Sequence, residues 1–460
     1  MEERKSANTI TEPVRKTKVY READVVVVGG GPGGIAAALA AARNGADTVL
    51  IERYGHLGGM ATGGLVTDIP VMSDIFGKRL LGGICWELVE RLDKLDAAFY
   101  PKENELGSKD KILVKFWEHL SIFVIRLGTV TLSVSIDPEV AKCLLVEMME
   151  EAGVKMVLHS WGTQTIMEGN EAKGVIFESK SGRQALLGKV IIDSTGDGDL
   201  LPSAGASYEE NINPSFRIRK LSLEFRVGNV DVKRAEDFRF SQPQRHAELM
   251  DELTKLGGFS LGNRMFLVNG LKDQDNLVHF DQRYNVSSGS DVDELTRIEI
   301  TGRKNILRTY GFYKKYVPGF EHCFLALSSP QLGTRGDKRI HGEYKLTAKD
   351  MDSSEIFEDT IAVFPDLDRG ESSRKHPHMY IPYRCLVPEK VDNLLVGCRA
   401  FSSDDIFNNI FNLIPHCIAM GEAAGTAAAL AVKAGIKPRN VEYRALRDRL
   451  LAQGVILSTA

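Results

Sequence analysis

Apolar residues gather in short blocks between polar stretches. Val25–Val28 is a run of four β-branched residues, the pattern of a strand buried on both faces. Ile35–Arg43 predicts an alanine-rich helix that stops at Asn44-Gly45. Thr48–Ile51 predicts a second strand, closing at Glu52. Ile136–Ala152 reads as a helix with Asp137 at its N-cap and Pro138 in its first turn. Val154–Leu158 reads as a strand. Ser160–Thr165, Gly174–Ser179 and Arg183–Leu187 alternate in polarity and predict a small antiparallel sheet. Val190–Asp193 and Leu394–Val396 are apolar strands that each run into a glycine turn. Ile414–Ala431 predicts a helix of small residues, and Val441–Gln453 a surface helix. Strands alternating with helices at both chain ends indicate an α/β fold.

The first turn carries the chemistry. Gly29, Gly31 and Gly34 stand in G-x-G-x-x-G register, with Pro32 and Gly33 between them. In such a turn the first glycine permits the bend, the second lets the backbone approach a pyrophosphate, and the third lets helix and strand pack closely. The helix N-terminus offers unpaired N–H groups and a positive dipole end to phosphates. Glu52 lies about 20 residues on, where an acid accepts hydrogen bonds from a ribose. Strand, glycines, helix, strand and acid in this order predict a dinucleotide site.

The 460 residues suffice for two or three units. Lys+Arg is 58 and Asp+Glu 62, a net charge of -4 with no basic block, which argues against nucleic acid as a partner. The six cysteines contain no C-x-x-C pair, so a redox dithiol of that spacing, a four-cysteine zinc site or an iron–sulfur run is not expected, and no metal ligands are proposed. The polar N-terminus lacks a secretory apolar segment. No apolar run is read as reaching the roughly 18 residues of a membrane span. The expectation is a cytoplasmic protein.

Later segments separate the dinucleotides. Gly55–Gly64 (GHLGGMATGG), Val190–Ala206 (VIIDSTGDGDLLPSAGA), Gly333–Thr347 (GTRGDKRIHGEYKLT), Tyr380–Pro388 (YIPYRCLVP) and Asn393–Ala431 together resemble the FAD-dependent oxidoreductases of the glutathione-reductase-type flavoprotein superfamily. The resemblance runs from Asp24 to about Gln453 and is weakest between about Ser207 and Ser329. It implies FAD as cofactor. It also implies a Rossmann-like FAD domain built from both chain ends, with an inserted mixed α+β substrate or cap domain. The expected division is a disordered lead-in (1–22), FAD domain (23–69, 136–206, 391–460), cap (70–135), substrate domain (207–330) and substrate–flavin interface (331–390). The loop Gly58-Gly59-Met60-Ala61-Thr62 would follow the pyrophosphate and flavin, and Thr195-Gly196-Asp197 would lie against the same cofactor. The Trp161 backbone would meet adenine, with Arg53 at the adenine or ribose end. Arg399 stands where many such flavoproteins keep an aspartate for the ribityl hydroxyls. The helix starting at Pro415 would face the flavin pyrimidine edge, and Gly421 and Ala424 would allow close approach.

The expected function is hydride transfer between flavin N5 and a small organic substrate, in either direction. No second G-x-G-x-x-G appears, so a separate electron donor or acceptor (oxygen, or an NAD(P)H reductase) is expected, with homo-oligomerisation left open. Alternatives are an FAD-dependent lyase or isomerase, or a non-catalytic FAD-containing subunit. His416, beside the flavin-facing helix start, is the leading acid–base candidate. Arg335 could clamp a carboxylate or stabilise an oxyanion. Tyr344 and His378 are further acid–base candidates. Asn412, Asp404 and Asp405 depart from the family's usual residues, so no relative's substrate carries over.

Overall fold

The computed structural model describes the chain apart from residues 1–9, 122, 211–215, 217–218, 262–266, 269–276, 368 and 460. Its first strand, β1 (Lys18–Val28), leads into helix α1 (Pro32–Arg43) and strand β2 (Thr48–Ile51). Helix α2 (Pro138–Glu151) follows the inserted segment, with the Asp137 carboxylate accepting the N–H groups of Glu139 and Val140. Next come β3 (Lys155–Val157), β4 (Trp161–Glu168), β5 (Glu171–Ser179) and β6 (Gly182–Asp193). These strands form a sheet in the order β3-β2-β1-β6-β5-β4. β1 lies parallel to β2 and to β6, as expected of a Rossmann-like α/β sheet.

Two strands differ most from the sequence reading. β1 starts at Lys18, so the lead-in expected over 1–22 stops short of that position; Lys18–Ala23 pair with Gln184–Gly188. Lys18–Glu22 are exposed, and no apolar pattern marks them; backbone pairing holds them together with the Arg21–Asp47 ion pair and the edge-on contact of Tyr20 with Phe177. Arg183–Leu187 and Val190–Asp193 are one strand, not two. Gly188 lies between them, and a Cβ there would lie 2.7 Å from Val26 Cγ2, so the glycine serves close packing inside the strand.

The second unit is a five-stranded antiparallel sheet. Strands β7 (Lys220–Gly228) and β8 (Val278–Asn285) are its long members. Helix α3 (Val292–Tyr316) packs on one face, and β9 (Phe324–Ser328) pairs with β7. Leu221, Leu223, Phe225, Val278, Phe280 and Tyr284 form a core distinct from that of the FAD-type domain. Segment 70–135, expected as a cap, joins the main core through Met72, Leu88, Leu92 and Leu132.

The chain then returns to the first sheet. β10 (Leu394–Val396) pairs in parallel with Ile191–Asp193 of β6. Helix α4 (Ile414–Ala434) crosses α1, and α5 (Tyr443–Ala452) closes the chain. Among the described residues, α4 is the one helix apolar and long enough to cross a membrane, yet 72% of its apolar window is buried in this core. Its small residues explain the contact. A Cβ on Gly421 would stand 2.0 Å from the Gly33 carbonyl oxygen, and one on Gly425 2.1 Å from that of Ala37.

Candidate active site

Three turns meet at the carboxyl ends of β1, β6 and β10, the edge where open α/β sheets place ligands. The glycines of the first turn make that meeting sterically open. Gly29 has φ +98°, and a Cβ there would lie 2.5 Å from the Ser194 carbonyl oxygen in the second turn. A Cβ on Gly33 would lie 2.0 Å from the Gly397 carbonyl oxygen in the third.

Each turn is pinned by a side chain. The Glu52 carboxylate, buried at the end of β2, accepts the N–H of Gly30 at 2.6 Å and that of Tyr54 at 2.8 Å. The fully buried Asp193 carboxylate accepts the N–H and hydroxyl of Thr195 at 3.0 and 2.8 Å, and the N–H of Leu200 at 3.1 Å. The Arg399 guanidinium donates to the Gly196 carbonyl at 2.9 Å and to Thr334 Oγ1 at 2.7 Å, and pairs with Asp197 at 3.0 Å.

These turns enclose a cavity of about 730 Å³. Its lining includes Gly29, Gly31, Pro32, Gly33, Glu52, Arg53, Gly59, Met60, Trp161, Thr195, Gly196 and Arg399, all residues named above as cofactor candidates. A Cβ built on Gly31 meets nothing within 4 Å, so this glycine keeps the cradle open. The first helical bond of α1 runs from Ile35 N–H to Gly31 O, 2.9 Å. The N–H groups of Gly33 and Gly34 are therefore available to an anion at the helix start. Arg53 lies 4.9 Å from the Tyr54 ring centre and 6.0 Å from that of the half-exposed Trp161, forming a flat cationic–aromatic end suited to a nucleobase. Asp199 also lines the cavity. Burial first, then Asp197 and Asp193, push its carboxyl up to about 7. The residues fit a dinucleotide with an anionic centre and a planar end.

Several expected contacts act at one remove. A Cβ on Gly34 would strike the Gly29 carbonyl oxygen at 1.7 Å. Gly58 (φ +95°) donates its N–H to the Gly30 carbonyl at 2.8 Å, and the Thr62 hydroxyl donates to the Leu57 carbonyl. With buried Ala61 they shape the loop rather than line the cavity. Asp197 acts through Arg399. Pro415 sits in the first turn of α4. Gly421 and Ala424 are absent from the lining, because the small face of α4 is spent on α1.

A second, larger cavity of about 1700 Å³ adjoins the first and shares Pro32, Met60, Thr334, Arg399 and Cys417 with it. Its roof is the polar face of the five-stranded sheet. Along β7 and β8 alternate side chains point opposite ways. Leu221, Leu223 and Phe225 enter the core, while Ser222 and Glu224 meet His279, Asp281 and Arg283 on the other face, at the second cavity. Glu224 Oε2 lies 2.7 Å from His279 Nε2. Arg283 Nε donates to Asp281 at 2.7 Å. Burial pushes the carboxyls of Glu224 and Asp68 above their ordinary range, against the pull of the His279 and Ser135 hydrogen bonds respectively. Arg335 also lines this chamber, and no described residue hydrogen-bonds or ion-pairs with it; burial pushes its guanidinium below its usual value.

Of the four expected catalytic side chains, the structure brings only Arg335 to the chamber. His416 is buried between Phe364 and Phe411, at 4.3 and 5.1 Å between ring centres, and its Nδ1 accepts the Leu413 N–H at 3.2 Å. It caps α4 from inside. The Tyr344 hydroxyl donates to Asp350 at 2.8 Å, and His378 Nε2 lies 3.0 Å from Asp74. None of the three lines either cavity. Sequence reasoning missed Glu224, His279, Asp281 and Asp68. For Glu224, His279 and Asp281 the signal was alternation, with polar or charged residues on every second position of strands whose other positions are core; Asp68, on a two-residue strand, carried none.

The family model for FAD dependent oxidoreductases matches residues 24–450. The tRNA uridine 5-carboxymethylaminomethyl modification enzyme MnmG of Dichelobacter nodosus is 32% identical over 126 residues. That match covers 24% of this chain and 20% of the relative, so the chain spans about a fifth of that relative's length. Among solved structures, p-nitrophenol 4-monooxygenase PnpA from Pseudomonas putida DLL-E4 is 11% identical, with TM-score 0.46 over 94% of this chain and 84% of its own. A geranylgeranyl bacteriochlorophyll reductase-like protein from Thermoplasma acidophilum is 14% identical, with TM-score 0.45 over 94% and 83%. With a dinucleotide cradle at three converging turns and a family match spanning nearly the whole fold, the chain belongs to the FAD dependent oxidoreductase family, with FAD as its cofactor.

Proposed function

We propose that this protein transfers a hydride between FAD and a small organic anion held in the 1700 Å³ chamber. The observation that supports this reading is Arg335, a guanidinium without a partner among the described residues, beside the cofactor cavity. Bound FAD supplies a two-electron acceptor or donor. Gly29, Gly31 and the start of α1 hold its phosphates, Glu52 its ribose, and Arg53 with Trp161 its base end. Thr334 and Arg399, shared by both cavities, fix the boundary between cofactor and substrate. A planar guanidinium suits a carboxylate, which it grips through two parallel hydrogen bonds. We also place the chain among the glutathione-reductase-type flavoproteins, a reading supported by its second glycine turn at Gly196. The other half-reaction falls to a separate electron partner, oxygen or a reductase.

The test is anaerobic mixing of the holoenzyme with a panel of small acids, alcohols and amines, read at the flavin absorption band. Loss of the band, restored by oxygen or another acceptor, supports the reading and identifies the partner. Arg335→Met should raise the half-saturating concentration of an acidic substrate by about 10- to 100-fold, the worth of a charged hydrogen-bonded contact. Turnover with no net change in electron count would show a lyase or isomerase instead.

A further inference from the structure

The polar roof of the chamber carries more than an anchor. Polar atoms there are buried yet have no partner among the described residues: Nδ1 of His279, Oδ1 of Asp281, Nε of Arg335 and Nδ2 of Asn412. All four residues line one cavity. Buried polar atoms without partners are uncommon in native proteins, so four around one space indicate a ligand that satisfies them. His279 is already oriented, since its Nε2 meets the Glu224 carboxylate at 2.7 Å. If Nε2 donates that bond, Nδ1 is left as an acceptor. This is the arrangement of a base held by a carboxylate.

The charges of the lining restrict what can enter. Arg126, Arg283, Arg335 and Arg399 face Asp68, Glu224 and Asp281. Asp281 is paired with Arg283 and Glu224 with His279, burial favours the protonated form of Asp68, and Arg335 is left without a partner among the described residues. The balance is cationic, which favours a carboxylate and disfavours a second group that is itself cationic. A hydroxyl meets both conditions.

We infer that the substrate is a small hydroxy acid, or the corresponding keto acid in reverse, with its carboxylate on Arg335 and its hydroxyl on the His279–Glu224 pair. This rests on the oxidoreductase reading above. In the oxidising direction the substrate O–H proton passes to His279. The carbinol C–H bond breaks with its electron pair leaving as hydride to FAD, and a C=O bond forms. The reverse direction returns the proton and the hydride. His279 is then the catalytic acid–base group, and Glu224 the positioning residue behind it. The charged neighbours that set its pH response are Glu224, Asp281 and Arg283 on the sheet, Arg226 opposite it in register, and Asp68, Arg126 and Arg335 across the chamber.

The experiment uses anaerobic holoenzyme with lactate, 3-hydroxybutanoate, malate and mandelate as reductants, and oxalate as a carboxylate that carries no oxidisable hydroxyl. At least one hydroxy acid should bleach the flavin, and oxalate should perturb its spectrum and compete. In His279→Gln, bleaching should slow by about 100-fold or more, the usual worth of general-base catalysis. Oxalate binding should stay within about threefold of wild type. Glu224→Gln should slow bleaching less, about tenfold, and displace the pH profile, which a purely structural role would leave in place. Should His279→Gln lose its flavin, Glu224→Gln decides alone. Bleaching by none of the four acids overturns the inference, as does a wild-type rate in both variants. If neutral alcohols or amines reduce the flavin and the acids do not, the oxidoreductase reading stands and the hydroxy-acid inference falls. If no donor reduces the flavin and no acceptor reoxidises it after photoreduction, both fall.

Discussion

Glu52→Gln is nearly isosteric, yet it should be no milder than Glu52→Ala. The carboxylate has two acceptor oxygens, and both are used: Oε2 takes the Gly30 N–H at 2.6 Å and Oε1 the Tyr54 N–H at 2.8 Å. A carboxamide keeps one acceptor and turns an NH₂ toward the remaining N–H. Two donors then face each other in a site only 7% exposed. Alanine removes the clash and leaves space for water. A charge-assisted hydrogen bond contributes about 1.5–3 kcal/mol. The glycine turn that Glu52 holds must be formed before phosphate can dock, so most of that loss should appear in cofactor binding. FAD titration of the apoprotein, followed by flavin fluorescence quenching, should give a Kd weakened by about 10- to 150-fold in Glu52→Gln. A glutamine variant that binds FAD within threefold of wild type would refute the claim that two backbone donors depend on this carboxylate.

Three further outcomes follow from burial and contact. Gly33→Ala places a Cβ 2.0 Å from the Gly397 carbonyl oxygen, whereas the Cβ of Gly31→Ala meets no protein atom; the first should leave purified protein without FAD and thermally weakened, the second should lower FAD affinity while the apoprotein melts as wild type does. The Glu422 carboxyl is pushed by burial from 4.5 up to about 7, so the folded state holds its proton to higher pH than the unfolded chain, and stability is full below pH 4.5 and lost as pH rises toward 7. Glu422→Gln should therefore raise the urea-unfolding free energy by about 3 kcal/mol at pH 8 and by nearly nothing at pH 4; a gain equal at both pH values would contradict this. His416→Ala should destabilise the protein by roughly 3 kcal/mol through the lost aromatic packing, with flavin half-reaction rates unchanged, as stopped-flow absorbance would show.

The cofactor half of the molecule was legible because its signals are local. Four β-branched residues, six turn residues and an acid about twenty positions later lie within one stretch of sequence, and each is constrained by its neighbours. The errors arose where one composition serves two purposes. Gly421 and Ala424 suit either ligand approach or helix packing, and only the crossing of α4 over α1, with Gly421 against Gly33, decides for packing. Gly188 suits either a turn or a tight strand contact, and Val26 decides for the contact. His416, Tyr344 and His378 were chosen for lying near recognisable motifs, but proximity in sequence says nothing of direction. Their side chains turn to Leu413, Asp350 and Asp74 instead.

The acid–base candidates lay in the segment with the weakest resemblance, for a reason built into sheets. Glu224 and His279 are 55 positions apart, and they meet only because β7 and β8 pair with Arg226 opposite His279. Each strand by itself reads as half-buried, with apolar residues inward and charged residues outward, the pattern of any antiparallel sheet with a solvated face. Nothing within those strands says that the charged face is covered. That information lies in the other domain, where Thr67, a few residues beyond the FAD loop, accepts a hydrogen bond from Arg226 at 3.1 Å. Once the FAD domain closes over the sheet, the same alternation changes meaning. A solvated face needs no partners for its charges, whereas an enclosed one must find them in the protein or in a ligand. Along this sheet Arg283 finds Asp281 and Glu224 finds His279, while His279 Nδ1 and Asp281 Oδ1 find none among the described residues. On the proposed reading, the specificity of the enzyme is therefore encoded in which charges the covered face leaves unmatched.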